Sequence, residues 1–323
     1  MINKIGKRIF EFRNQLRTIF LRMLLAGRFE AKDVFIITSS PRSGSTLLGN
    51  VLGVIPFSCT LFEPLNLKNV PEAKAAGFTW RTFVPREKKW PDGEAYLEHL
   101  FQGRMLNSFT AREMSFWDAF NSRRLIIKFV RANRLLPWLC HRFEVPPPIL
   151  LIRHPCAVVA SQINAGIRMK KRPDSPSFLD EYPNFKNALA GVDGVLENHT
   201  ATWALDQLCI LREQTPHPWI IITYEELILY PERTLLRVVE NWNVNIDFNK
   251  ALSLMKKPSR VVSKSGISGV KGWKDVLSNK QISQVLSIAN SFGLSFYSTK
   301  YEANYGELYS KDLPKNIQKK GVG

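Results

Sequence analysis

The chain has 323 residues, enough for one large α/β domain with a substantial core. Its 45 Lys and Arg outweigh 28 Asp and Glu, a formal net charge of +17; a field of that sign draws nucleotides, nucleic acid, anionic glycans or an acidic membrane surface without choosing among them. Cys59, Cys140, Cys156 and Cys209 are too scattered for a zinc site or a disulfide framework, which suits free thiols, and no apolar run is long enough to span a bilayer.

The first expected element is a basic amphipathic helix within residues 1–30. Ile5, Ile9, Phe12, Leu16, Ile19 and Met23 recur at helical spacing, with Lys4, Lys7, Arg8, Arg13, Arg17 and Arg22 between them. These charges interrupt any signal-peptide core. Such a helix either lies on a membrane surface or docks on its own domain.

Short apolar runs rich in β-branched residues follow at 34–38, 59–62, 125–129, 149–152 and 219–223, and read as buried strands. Helical patterns at 46–54, 134–143, 157–165 and 197–212 separate most of them. Alternation of this kind predicts an α/β fold, a central parallel sheet flanked by helices. Two regions break it. Residues 64–122, with helices expected near 94–105 and 110–121, and residues 166–196, with Arg168, Lys170, Lys171 and Arg172, read as insertions over the C-terminal edge of the sheet. The domain is expected to span 31–299, with a polar tail from about 300.

Between the first strand and the first sheet helix stands Ser39-Ser40-Pro41-Arg42-Ser43-Gly44-Ser45-Thr46. Backbone N–H groups of such a loop, with the helix N-terminus, can cradle a phosphate or sulfate. It is not a Walker A loop: Ser45 stands where that motif has Lys, Ser39 replaces its first Gly, and the basic group is Arg42.

At these residues the sequence resembles the PAPS-dependent sulfotransferases, whose donor is 3′-phosphoadenosine 5′-phosphosulfate. Pro41-Arg42-Ser43-Gly44-Ser45-Thr46 is similar to the family's 5′-phosphosulfate loop, and Arg153 with Ser161, eight residues on, to its 3′-phosphate motif. A strand-end guanidinium and a helix hydroxyl can meet one phosphate. The resemblance places Lys128 at the transferring group. Val130 stands where cytosolic relatives carry a His base, and Phe62-Glu63-Pro64 resembles the segment that supplies a Glu base in Golgi-type carbohydrate sulfotransferases. Tyr224 falls in a Tyr-Glu-Glu segment near the nucleotide, and Lys264 and Gly266 in a partial match to the segment that closes over the 3′-phosphate.

The resemblance implies a P-loop NTPase-like sulfotransferase fold and transfer of a sulfuryl group from PAPS to an acceptor hydroxyl, of a carbohydrate or glycolipid, without a metal. Glu63, Lys128 and Arg42 are the expected catalytic residues. Arg42, Ser43, Gly44, Ser45, Thr46, Arg153, Ser161, Tyr224, Lys264 and Gly266 are the expected nucleotide contacts. The expected location is the cytoplasm, with peripheral membrane contact through residues 1–28 and no nucleic-acid partner. Two other classes remain open: a P-loop kinase, which needs a Lys at position 45 and an acidic Mg²⁺ site, and a non-catalytic polyanion binder using the basic runs at 86–89, 123–124 and 168–172.

Overall fold

A computed structural model describes residues 2–169, 176–183, 185–211, 219–256 and 267–310. Five strands, β1 (Val34–Ser39), β2 (Ser58–Phe62), β3 (Arg124–Val130), β4 (Ile149–Ile152) and β5 (Ile220–Thr223), form one parallel sheet in the order β2-β3-β1-β4-β5. All five expected strands are present, within two residues of their predicted bounds.

Successive residues of these strands point to opposite faces, and both faces are dry. Ile36, Leu61, Ile127, Leu150 and Ile221 belong to the larger core, while Ile37, Ile126, Leu151 and Ile222 belong to a second core on the other side. This is why the strands read as unbroken apolar runs.

The helices that precede and cover the sheet are, in chain order, α1 (Ile2–Leu25), α2 (Ser45–Leu52), α3 (Pro71–Ala75), α4 (Pro91–Phe101), α5 (Phe116–Asn121), α6 (Leu136–Arg142), α7 (Pro155–Asn164), α8 (Pro176–Glu181) and α9 (Phe185–Ala190). Then come α10 (Val195–Leu211), α11 (Tyr224–Leu229), α12 (Pro231–Trp242), α13 (Phe248–Met255), α14 (Ile267–Lys271), α15 (Asn279–Ser291) and α16 (Tyr305–Ser310). The larger core receives α1, α4, α6, α7, α10 and α15, and the smaller one α2, α12 and α13.

One expectation needs correction. The helix placed at 110–121 begins only at Phe116. Before it, the Asn107 side chain accepts from the N–H of Phe109 and Thr110 and makes a turn, and Ser115 caps the helix by accepting from Asp118 N–H. The segment expected to be a polar tail contains α16, which docks through buried Leu308 and through Tyr309, whose hydroxyl meets Glu226 and Arg237.

The order places β1 at the centre, with β3 and β4 beside it. Crossovers leave the central strand toward both edges, so the C-terminal end of β1 lies at a switch point of the sheet, where open α/β folds bind ligands.

Candidate active site

The loop after β1 turns at Arg42 and Gly44, both with left-handed backbone (φ 73° and 94°). Gly44 caps α2, and a Cβ there would collide with the Tyr224 ring. Glycine is required at that position twice over, by φ and by the close approach. Gln162 on α7 pins the loop by donating to Pro41 O at 3.0 Å.

Arg42 Nε donates to Ser161 Oγ at 3.0 Å. Arg153, just past β4, donates from Nη1 to Arg42 O at 2.8 Å and from Nη2 to Gly269 O at 2.6 Å, and its guanidinium lies 4.4 Å from the Tyr224 ring centroid. The sequence pairs Ser161 with Arg153 at the 3′-phosphate; in the structure Ser161 accepts from Arg42, and Arg153 reaches the same loop at Arg42 O, so the three residues lie together. Burial, and then the neighbouring Arg153, push the Arg42 pKa down. Among the described residues neither guanidinium is ion-paired with a carboxylate, and Arg153 Nε and Ser39 Oγ are buried without a partner. Two adjacent, partly desolvated cations with spare donors fit a phosphorylated ligand.

Across β1 lies the second half of the site. Lys128 on β3 is buried, and its ammonium is held between Thr46 Oγ1 at 3.0 Å and Glu63 Oε1 at 3.1 Å. Burial lowers the Lys128 pKa, and the charge of Glu63 opposes that shift. The Phe62 ring is bracketed by two cations, with Lys128 Nζ 3.6 Å and the Arg112 guanidinium 3.3 Å from its centroid. Glu63 N–H extends the β2–β3 ladder by donating to Lys128 O, after which the chain turns away through a left-handed φ of 41°. Asn66 Nδ2 donates to the second carboxylate oxygen, Oε2, at 3.3 Å.

Ser43 and Ser45 are buried in the loop, so their backbone matters more than their exposed surface. Lys264 and Gly266 lie outside the described residues.

Sequence reasoning missed a third group. Asp206, buried on α10, accepts from Ser40 Oγ at 3.2 Å, Arg81 Nε at 3.4 Å and Arg134 Nε at 3.0 Å. It ties the loop after β1 to the 64–122 insertion. A lone carboxylate within the apolar run Trp203-Ala204-Leu205-Asp206 was the available signal. Arg131, at the end of β3 with φ 79°, lies under Trp80 at 4.7 Å from the ring centroid. Among the described residues five non-glycine positions have positive φ, and three of them, Arg42, Glu63 and Arg131, follow or end β1, β2 and β3. Strain of this kind gathers where surrounding contacts over-determine a functional site.

His154 has no such role. It caps α7 by accepting from Cys156 N–H, its Nε2 meets Ser298 O at 2.9 Å, and its ring stacks on Trp273. Among the described residues no group of three or more His, Cys, Asp or Glu side chains is placed to hold a metal ion, and no helix is long and apolar enough to cross a membrane.

The sequence profile of the sulfotransferase family matches residues 34–247, which include every element just described from the loop after β1 to Tyr224. Among curated protein sequences nothing matches. Similar solved structures include a mouse sulfotransferase, SULT7A1, complexed with PAP, at 14% identity over 84% of this chain and 92% of that one, with a TM-score of 0.44. Another is the sulfotransferase domain from the curacin biosynthetic pathway, at 17% identity over 87% of this chain and 96% of that one, with a TM-score of 0.38. The match over two thirds of the sequence decides between the three classes left open by the residues alone: the chain belongs to the sulfotransferase family and is a PAPS-dependent sulfotransferase.

Proposed function

We propose that the enzyme transfers the sulfuryl group of PAPS to a hydroxyl of a carbohydrate or glycolipid, with Glu63 as general base and no metal ion. One observation carries the reading: a single buried ammonium, Lys128, joins the anion loop through Thr46 to the carboxylate of Glu63. The anion loop and the candidate base therefore lie one side chain apart, so a donor held at the loop and an acceptor at Glu63 are brought close together.

The co-substrate supplies an activated sulfuryl group on a phosphate leaving group. Arg42 and Arg153, with Ser161 and the N–H groups of the 43–46 loop, hold the phosphates. Tyr224 supports Gly44 and Arg153 from beneath. Glu63 takes the proton of the acceptor hydroxyl as its oxygen bonds to sulfur and the sulfur–oxygen bond to the 5′-phosphate breaks. Lys128 and Arg42 offset the charge on the sulfuryl and leaving oxygens, from positions fixed before reaction. Asn66 keeps the carboxylate turned toward the acceptor side.

Glu63 followed by proline, with Val130 in place of a His base, favours a sugar hydroxyl over a phenol. Transfer of labelled sulfate from PAPS to a panel of sugars, glycolipids and simple alcohols tests this. Glu63→Gln should lower kcat by about 10²–10⁴-fold and leave affinity for adenosine 3′,5′-bisphosphate unchanged. A fully active Glu63→Gln enzyme removes Glu63 from the mechanism, and loss of activity on chelator treatment removes the metal-free proposal.

A further inference from the structure

The helix α1 carries two apolar faces. Thr18, Leu21 and Leu25 are buried against the domain. Ile9, Phe12, Leu16, Ile19, Phe20 and Met23 are exposed, Met23 at 72%. At about 100° per residue the exposed six fall within a sector roughly 100° wide, centred opposite the buried three. The helix is therefore docked and still presents a complete apolar stripe to solvent.

The stripe has a neighbour. The short helix α5 packs beside α1 and exposes Phe116, Trp117 and Phe120, with Trp117 at 75%. Arg28 binds the two together by donating to Ala119 O at 2.6 Å and Phe120 O at 2.7 Å. A hollow of about 430 Å³ beside Phe120 is lined by Arg28, Phe57, Ser122 and Arg123. Nine large exposed apolar side chains on two adjoining helices exceed the scattered exposure of an ordinary soluble surface.

Charge selects the occupant. Six basic residues and one acid, Glu11, lie in α1, α5 adds one acid, Asp118, and Arg28 and Arg123 line the hollow beside Phe120. An apolar stripe rich in Phe and Leu with cationic flanks and an exposed Trp suits the boundary of a bilayer with negative headgroups. A second copy of the chain would bring like charges together.

We propose that the exposed faces of α1 and α5 dock this enzyme on an anionic lipid bilayer. The docking face is tied to the active site. Arg17 of α1 donates to the carbonyls of Ala111 and Met114. Within the same segment Thr110 O accepts from Phe62 N–H at 2.8 Å, and Arg112 lies over Phe62, the residue before Glu63. Residues 110–114 thus contact both α1 and the residue before the candidate base, and acceptors anchored in a bilayer held by α1 would gain local concentration. Docking itself does not depend on what the acceptor is.

The full chain should co-sediment with vesicles of phosphatidylglycerol and phosphatidylcholine and much less with phosphatidylcholine alone. Phe12→Ser with Phe20→Ser should lower partitioning by about tenfold or more, and Trp117→Ser by a smaller factor. Both variants replace exposed side chains and should bind adenosine 3′,5′-bisphosphate as the unsubstituted enzyme does, which separates loss of docking from loss of fold or of the nucleotide site. In a second readout, brominated lipid should quench part of the fluorescence of the unsubstituted chain that is missing in Trp117→Phe. Absence of sedimentation with anionic vesicles overturns the proposal. So does binding that the variants leave intact, or a dimer in ultracentrifugation that the Phe→Ser pair dissolves.

Discussion

The guanidinium of Arg42 lies 3.0 Å from the hydroxyl of Ser161, a contact between residues 119 positions apart in sequence. It joins the loop after β1 to the helix after β4, so the two motifs that the sequence shows separately are in direct contact. Ser161→Ala should weaken adenosine 3′,5′-bisphosphate binding by about tenfold, the worth of one hydrogen bond to a charged group, with thermal stability nearly unchanged. Isothermal titration measures it, and unchanged affinity removes Ser161 from the site.

Gly44 can be tested independently of charge. Its φ of 94° and the Tyr224 ring beneath it leave no room for a side chain. Gly44→Ala should cost at least about 1–2 kcal/mol from the left-handed backbone alone, and more from the collision. In a Tyr224→Ala background the collision disappears and the backbone cost stays, so the second Gly44→Ala step should be milder. Equal costs in both backgrounds, read by urea unfolding, would show that Tyr224 does not press on the loop.

Lys128 bridges Thr46 and Glu63. Lys128→Met keeps the buried stem and removes the charge. Transfer should slow by about 10²–10³-fold, as for loss of one preorganised donor, while the melting temperature changes little because Glu63 still reaches solvent. A variant that transfers sulfate at the normal rate contradicts the proposed role.

His154 gives a pH dependence with a defined sign. Burial, with a smaller contribution from the charges of Arg153 and Lys274, lowers its pKa to about 4, below the ordinary value near 6.5, and its Nδ1 accepts from Cys156 N–H as the cap of α7. The unfolded chain therefore binds the extra proton between about pH 6.5 and 4, and stability is lost as pH falls through that window. The contribution is on the order of 3 kcal/mol. His154→Gln should be less stable than the unsubstituted chain at neutral pH but show a flatter decline in acid. Parallel declines would assign the acid sensitivity elsewhere.

Strands and most sheet helices were legible because a doubly covered parallel sheet forces continuous apolar runs, as in Ile149-Leu150-Leu151-Ile152. The loop residues 39–46 were legible because few residue sets turn so tightly before a helix. Asp206, Arg81 and Arg134 were not, because their contacts span 125 and 72 residues and no local period encodes them. The contact between Ser161 and Arg42 was not legible for a related reason: it spans 119 residues and is set by packing between the loop after β1 and the helix after β4. The turn at 107–110 was missed because a side-chain turn from Asn107 outcompetes the helical pattern that follows it.

We propose that Arg42 with the 43–46 loop and Arg153 with Ser161 hold the two ends of a nucleotide phosphorylated at both its 5′ and 3′ positions. Calorimetric titration with adenosine 3′,5′-bisphosphate against AMP is the most direct test. The bisphosphate should bind much more tightly, and Arg153→Ala should erase most of that preference while leaving AMP binding nearly as before. No heat from the bisphosphate, or equal losses for both nucleotides in Arg153→Ala, contradicts the account.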